Sequence, residues 1–364
     1  MLDPYPLPNP PWLRELVTPL AKRAGLHTLP DHIHQVLLAF AIYQATLLWI
    51  SPLITKIFFA ESYAKLSKRT QFNWHVHAVA FIQAIIISGV ALWVLAKEQE
   101  RPHMNWQERI YGYTGALGMV QAFGAGYFVW DLYICIRYYS MFGFGMLAHA
   151  ISALTVYTTG FYPFVNFYAP VFVLYEISSP FLNIHWFCDK MELTGSNIQF
   201  INGILLLITF GGARLIYGTW ASYSLCRDIL TAVYTAREAP HTPPLALSHF
   251  ALNATTLFNN PIEALQVLKY APAGPHIPTW MWMSNIASNI TLNILNWYWY
   301  QQMISAIRKR FDPPFGTRKK LKADSDIKVT RSEDASGSKT LKVDSLEVRR
   351  RQQLERLEST GMIP

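Results

Sequence analysis

Apolar residues run along this chain in blocks of about 20, separated by short polar or basic segments. A helix needs about 20 mostly apolar residues to cross roughly 30 Å of hydrocarbon. Seven stretches meet that length: 33–59, 74–96, 112–137, 144–161, 164–187, 198–221 and 280–304. The predicted fold class is therefore all-α, a polytopic membrane helical bundle of about seven transmembrane helices with a disordered C-terminal tail. The fifth stretch is the least regular, because Pro170 and Pro180 remove two backbone donors from it.

Composition supports this pattern. Of 364 residues, 51% are hydrophobic and only 15% charged, too little charge for an ordinary soluble surface. The mean hydropathy of +0.15 averages an apolar body with a polar tail beyond about Arg308. The net charge of +8 also gathers mostly at one end. Clustered Lys and Arg beside spans follow the positive-inside rule, so no nucleic-acid partner is expected. Cys135, Cys188 and Cys226 are too scattered for a disulfide framework or a zinc site. They read as packing thiols, and no metal or cofactor is expected. The first thirty residues lack an apolar run with a cleavage site, so the first span is expected to serve as the insertion signal.

Basic loops set the expected orientation. Lys56 at the end of the first span is followed by Lys65, Lys68 and Arg69 before the second, and Arg308, Lys309, Arg310, Arg318, Lys319, Lys320 and Lys322 follow the seventh. Both segments are expected in the cytosol. The N-terminus and the loop from Ser222 to Pro278, with its Asn253-Ala-Thr sequon, then face the other side. A second sequon at Asn289 falls inside the seventh span and is expected to be unused. The predicted organisation is an N-terminal non-cytosolic segment over 1–31, a transmembrane bundle over 32–306 and a basic disordered cytosolic tail over 307–364, with a short helix near Leu346–Leu357.

Ionisable residues inside a span cost several kcal/mol on insertion scales, which makes each a functional candidate. Asp131, His149, Glu176 and Arg214 are the clear cases, with Gln83 as a neutral companion. At 1.5 Å rise per residue, Asp131 and His149 lie roughly 9 Å or less from the cytosolic ends of their spans, and Gln83 and Glu176 about 14 and 17 Å deep. Converging faces would make these four line a cavity open to the cytosol. Arg214 is expected apart from them, snorkelling or paired near the opposite boundary. Gly112, Gly115, Gly118, Gly124 and Gly126 predict close helix approach. The run Trp297, Tyr298, Trp299, Tyr300 reads as an interfacial belt.

The run Tyr175-Glu-Ile-Ser-Ser-Pro-Phe-Leu-Asn-Ile-His-Trp-Phe, with Asn202-Gly-Ile-Leu in the next span, resembles the TLC domain of translocation-associated membrane proteins and ceramide synthases. Ser62-Tyr63, Leu66, Trp74, Gly126-Tyr127 and Asp131 agree, so the resemblance covers about 60–225 and is closest to the fungal-type, non-synthase branch. It implies an integral protein of the endoplasmic reticulum concerned with lipid synthesis, transport, sensing or balance. Ceramide synthases carry a His-His pair and a His-Asp pair; this chain reads Ala148-His149 and Tyr175-Glu176 at those places, and no homeobox-like segment is visible.

Two functions follow as expectations. The first is lipid homeostasis: a membrane lipid is bound, transported or sensed in an intramembrane cavity, with Gln83, Asp131, His149, Glu176, Ser178, Ser179, Asn183 and His185 as ligand-binding residues. The alternative is an acyl-CoA-dependent N-acyltransferase, ceramide synthase-like, with His149 as base and Asp131 or Glu176 orienting it. Lys65, Lys68 and Arg69 would then meet the phosphates of acyl-CoA. The sequence leaves the oligomeric state open.

Overall fold

The computed structural model describes residues 1–238, 266–267, 269–270 and 276–310, and the regular structure among them is all helical. The chain opens with α1 (Pro11–Ala24), where the sequence reading assigned no helix. Leu13 and Ala21 are buried, while Trp12, Leu16 and Leu20, four residues apart, form an exposed apolar stripe. Such a helix suits the bilayer interface.

Among the described residues, five helices are long and apolar enough to cross a membrane: α2 (Leu29–Phe58), α3 (Lys68–Lys97), α5 (Gly115–Arg137), α6 (Tyr139–Thr159) and α8 (Asn197–Glu238). The short α4 (Trp106–Tyr111) precedes α5 and starts from a capping box in which Asn105 and Glu108 satisfy each other's backbone donors. Side-chain caps also start α3 at Ser67, α5 at Thr114 and α8 at Ser196. In α2 the turn Thr46–Ile50 widens to π geometry just before Pro52, which has no N–H to donate. Helix α6 breaks at Gly143, whose φ of 72° only glycine adopts freely, so its regular part starts where the sequence placed the fourth span.

The most buried of the five is α5, which packs against α2, α3 and α6. Its glycines make this possible. A Cβ on Gly126 would strike the Val36 carbonyl of α2, and one on Gly124 would strike the Tyr157 ring of α6.

Two expected spans differ from a plain apolar helix. The fifth is broken into a 3-10 turn (Asn166–Tyr168), a short helix (Ala169–Val173), a second 3-10 turn (Leu174–Ser178) and then α7 (Ser179–Lys190). Val165, a β-branched residue at φ 55°, marks the entry to this irregular segment. The last helix, α9 (Thr279–Arg310), has ample length but carries asparagines on its inner face. Asn285 donates to Thr159 of α6 (3.0 Å) and Asn293 to Ser222 of α8 (2.9 Å). The 3–4-residue spacing of Asn285, Asn289, Asn293 and Asn296 puts them on one face, where polar side chains hold membrane helices together. Asn289, the second sequon, is buried there.

The expected loop from Ser222 is corrected, since α8 stays helical to Glu238. Ser222, Leu225, Asp228, Ile229 and Ala232 form a buried face that packs on α4 and α9. Asp228 accepts both Nε (2.6 Å) and Nη2 (2.9 Å) of Arg109, and the Tyr168 hydroxyl (2.7 Å). Hydrogen bonding to Asp228 holds the Arg109 guanidinium above its ordinary pKa. Asp31 at the start of α2 pairs with Lys269 (3.1 Å), so that part of the later loop lies at the same end of the bundle. The Asn253 sequon, the tail from 312 and its suggested helix at Leu346–Leu357 lie outside the described residues.

Candidate functional site

Arg214 sits where α8 widens into a π turn over Gly211–Tyr217. The extra residue in such a turn re-aims side chains, and these turns are common at functional sites. Here it turns Arg214 inward, 6% exposed, against the broken fifth span. Nε donates to the Tyr175 carbonyl (2.9 Å) and Ser178 Oγ (3.2 Å), Nη1 to Asn296 Oδ1 (3.3 Å), and Nη2 to Ser179 Oγ (3.3 Å). Nη2 also lies 3.6 Å from Glu176 Oε1. The guanidinium stacks 4.9 Å above the Phe210 ring.

This corrects the expectation for Arg214. It is no boundary residue; it is the hub of the polar interior. A fully charged guanidinium that cannot reach water must find acceptors, and the 3-10 turn Leu174–Ser178 presents Glu176, Ser178 and a carbonyl on its side.

The other expected residues fall around this hub in part. Asp131 is 8% exposed, and its described hydrogen-bond partner is the Cys135 thiol at 3.9 Å, a weak donor. Glu176 is close enough to act electrostatically on Asp131, and Arg214 on His149. His149 packs edge-on against Trp299 (5.4 Å between ring centroids) and Phe128, and its buried Nδ1 has no hydrogen-bond partner among the described residues. Gln83 is completely buried, and neither end of its amide finds a partner there. It shares a helix face with Val79 and Ile87, which pack in one core cluster with Tyr127, Val173 and Leu174.

Ser178 and Ser179 both serve Arg214. Asn183 of α7 donates to the Ser179 carbonyl (2.8 Å) and meets His77 Nδ1 (2.7 Å). His185 is buried, and its carbonyl accepts from Gln199 (3.3 Å). The basic entrance residues are engaged at the surface: Lys65 pairs with Glu192 (3.4 Å), and Arg69 donates to the carbonyls of Ser140 and Met141. A cavity of about 310 Å³ lies elsewhere, lined by Tyr5, Gly89, Val90, Trp93, Met119 and Phe123, and shares no lining residue with this cluster.

Sequence reasoning missed several participants. Asn296 escaped notice, although its spacing from Asn285, Asn289 and Asn293 is a readable signal. The aromatic run of α9 is not a uniform interfacial belt, since Trp297 and Tyr298 face outward, whereas Trp299 meets His149 and Tyr300 stacks on Phe210 at 5.8 Å. His75 and His77 also went unmarked. His75 is saturated, bonded to Ser51 Oγ (2.8 Å) and the Tyr63 hydroxyl (2.9 Å).

Comparison with known proteins places this site within a matched domain. Residues 73–305 match the TLC domain. A TLC domain-containing protein of Schizosaccharomyces pombe is 36% identical over 298 residues, covering 82% of this chain and 86% of its own. The topoisomerase I damage affected protein 4 of Saccharomyces cerevisiae is 26% identical over 289 residues, 78% of this chain and 86% of its own. The human TLC domain-containing protein 4 is 24% identical over 153 residues, 41% of this chain and 57% of its own. No solved structure matches.

Proposed function

The chain belongs to the TLC domain family, and on that premise we propose that it is a lipid handler of the bilayer. It binds a membrane lipid with the headgroup in the polar interior and the acyl chains along the apolar helices. Asp131 carries this reading. A buried carboxylate needs a cation or several strong donors. The Arg214 guanidinium is already committed to five acceptors around Glu176, and among the described residues Asp131 keeps only a thiol contact. A headgroup amine supplies the missing charge. Gln83, with both amide ends unpartnered among the described residues, supplies neutral donors and an acceptor on the core side of α3.

The same reading places the headgroup's entry in the cytosolic leaflet, at the end carrying Lys65, Lys68 and Arg69. It makes 1–31 non-cytosolic, 32–306 the bundle and 307–364 a cytosolic tail, in the endoplasmic reticulum, with sphingolipids among the amine-bearing candidates. N-acyl transfer from acyl-CoA takes second place. A base acting through one ring nitrogen is normally held by a partner on the other, and His149 Nδ1 has none among the described residues, while Glu176 is engaged by Arg214.

The test is mass spectrometry of lipids that copurify in mild detergent. Amine-bearing lipids are expected to be enriched on the wild type and reduced at least tenfold on Asp131→Asn, which keeps shape and removes charge. Equal retention by Asp131→Asn would sink the reading.

A further inference from the structure

Two histidines two residues apart on α3, His75 and His77, have opposite fates. His75 has both ring nitrogens bonded within the protein. Among the described residues His77 has one, and its partner fixes which nitrogen of the neutral ring carries the proton. The Ser179 carbonyl can only accept, so the amide nitrogen of Asn183 must face it, at 2.8 Å. That turns Asn183 Oδ1 towards His77 Nδ1 at 2.7 Å, and an amide oxygen can only accept. In the neutral ring Nδ1 therefore carries the hydrogen, and Nε2 carries the lone pair. The ring plane is fixed as well, because His77 stacks on Trp186 with centroids 4.1 Å apart and planes 19° from parallel. His77 remains partly exposed, whereas Asn183 is buried.

The pair is also joined to the deep hub. Ser179 accepts from Arg214 through its hydroxyl and from Asn183 through its carbonyl. Glu176, Arg214, Ser179, Asn183 and His77 thus form one continuous polar path along the broken fifth span.

We propose that His77 is a headgroup-selecting residue: its fixed Nε2 lone pair accepts a hydrogen bond from an O–H or N–H donor of a lipid headgroup at the outer end of this path. The inference rests on the lipid-handling reading and deepens it. Asp131 attracts any cationic headgroup, a quaternary one included. His77 separates headgroups that carry a donor from those that do not. Phosphatidylethanolamine offers N–H donors; phosphatidylcholine with the same acyl chains offers none.

The experiment reconstitutes the full chain in mixed vesicles of these two lipids and measures their ratio on the re-extracted protein. The wild type is expected to enrich the ethanolamine lipid about fivefold over bulk, the effect of one hydrogen bond. His77→Phe keeps an aromatic ring against Trp186 without a nitrogen, and should erase the preference by lowering the ethanolamine lipid towards the choline lipid. Asn183→Leu should erase it through loss of the fixed tautomer. Nitrogen-15 spectra of the wild type, with the His77 signal assigned by its absence in His77→Phe, should show the Nδ1–H tautomer. An Nε2–H tautomer, no preference in the wild type, or a preference kept by both variants overturns the proposal and leaves lipid handling intact. A wild type that retains neither lipid overturns both.

Discussion

Arg214 on the π turn of α8 lies 3.6 Å from Glu176 on the 3-10 turn of the fifth span, and both are buried. Neither turn is regular α-helix, and the irregularity brings the two side chains together. The contact ties α8 to the segment with the least regular backbone in the bundle. Asn296 adds α9 to the same point.

Removing one partner should be costly. Arg214→Leu leaves Glu176 buried without its cation, and breaking such a pair typically costs about 3–5 kcal/mol. The expected outcome is a markedly lower unfolding temperature in detergent. Pairing Arg214→Leu with Glu176→Gln should recover part of the loss, read as a coupling of about 1 kcal/mol or more in a double-mutant cycle. Strict additivity of the two would refute the contact.

Catalysis gives a contrasting expectation. No acyl transfer from acyl-CoA to a sphingoid base should be detected with the purified wild type, and His149→Ala should change lipid occupancy only several-fold. Robust N-acylation abolished by His149→Ala would favour the enzyme reading, since loss of a general base costs about 10²–10⁴-fold in rate.

The helical extension over 222–238 is held by its apolar face and by Asp228, which pairs with Arg109 and Arg227. Asp228, 1% exposed, accepts two bonds from Arg109 and one from Tyr168. Asp228→Ala should destabilise the fold by about 3–5 kcal/mol and speed hydrogen exchange in 222–238. Exchange unchanged from the wild type would mean that the extension is held by its apolar face alone.

Close approach of α2 and α5 predicts intolerance at Gly126. Its Cβ position is occupied by the Val36 carbonyl and the Ala39 side chain, so even Gly126→Ala must push the helices apart. Overpacking of this kind costs about 1–3 kcal/mol. The thermal midpoint should fall for Gly126→Ala and stay near the wild-type value for Gly89→Ala, where a Cβ meets nothing within 4 Å.

The docking of residues 1–10 should depend on acid. Burial raises the Asp3 carboxyl, but hydrogen bonds from His32, Tyr5 and Gln35 outweigh it and hold the pKa below the ordinary 3.8. A depressed carboxylate contributes stability that is present above its unfolded value and lost as pH falls through the folded one. Proteolysis of this segment should therefore rise below about pH 4 in the wild type, and be raised already at neutral pH in Asp3→Asn, with the two converging in acid.

The sequence by itself determined the medium and the helices. Twenty-residue apolar blocks have one low-cost solvent, and inside it the backbone must satisfy its own hydrogen bonds, so all-α structure and most spans were legible from local composition. The glycines of α5 likewise announced close packing, and the candidates Asp131, Glu176, Ser178 and Ser179 stood out because polarity in a span is expensive. Only the tertiary structure decided which of these groups meet. Arg214 read as a boundary residue because depth was counted along a straight helix; a π turn re-aimed it inward, and no local signal marks such a turn. Beyond its apolar block helix α8 carries Asp228, which meets Arg109, 119 residues away in sequence. His77 gained its fixed lone pair from Asn183, a partner 106 residues away. Hydrophobicity is a property of each segment alone, whereas the compensation of a buried charge belongs to a pair, and the pair exists only once the chain has folded.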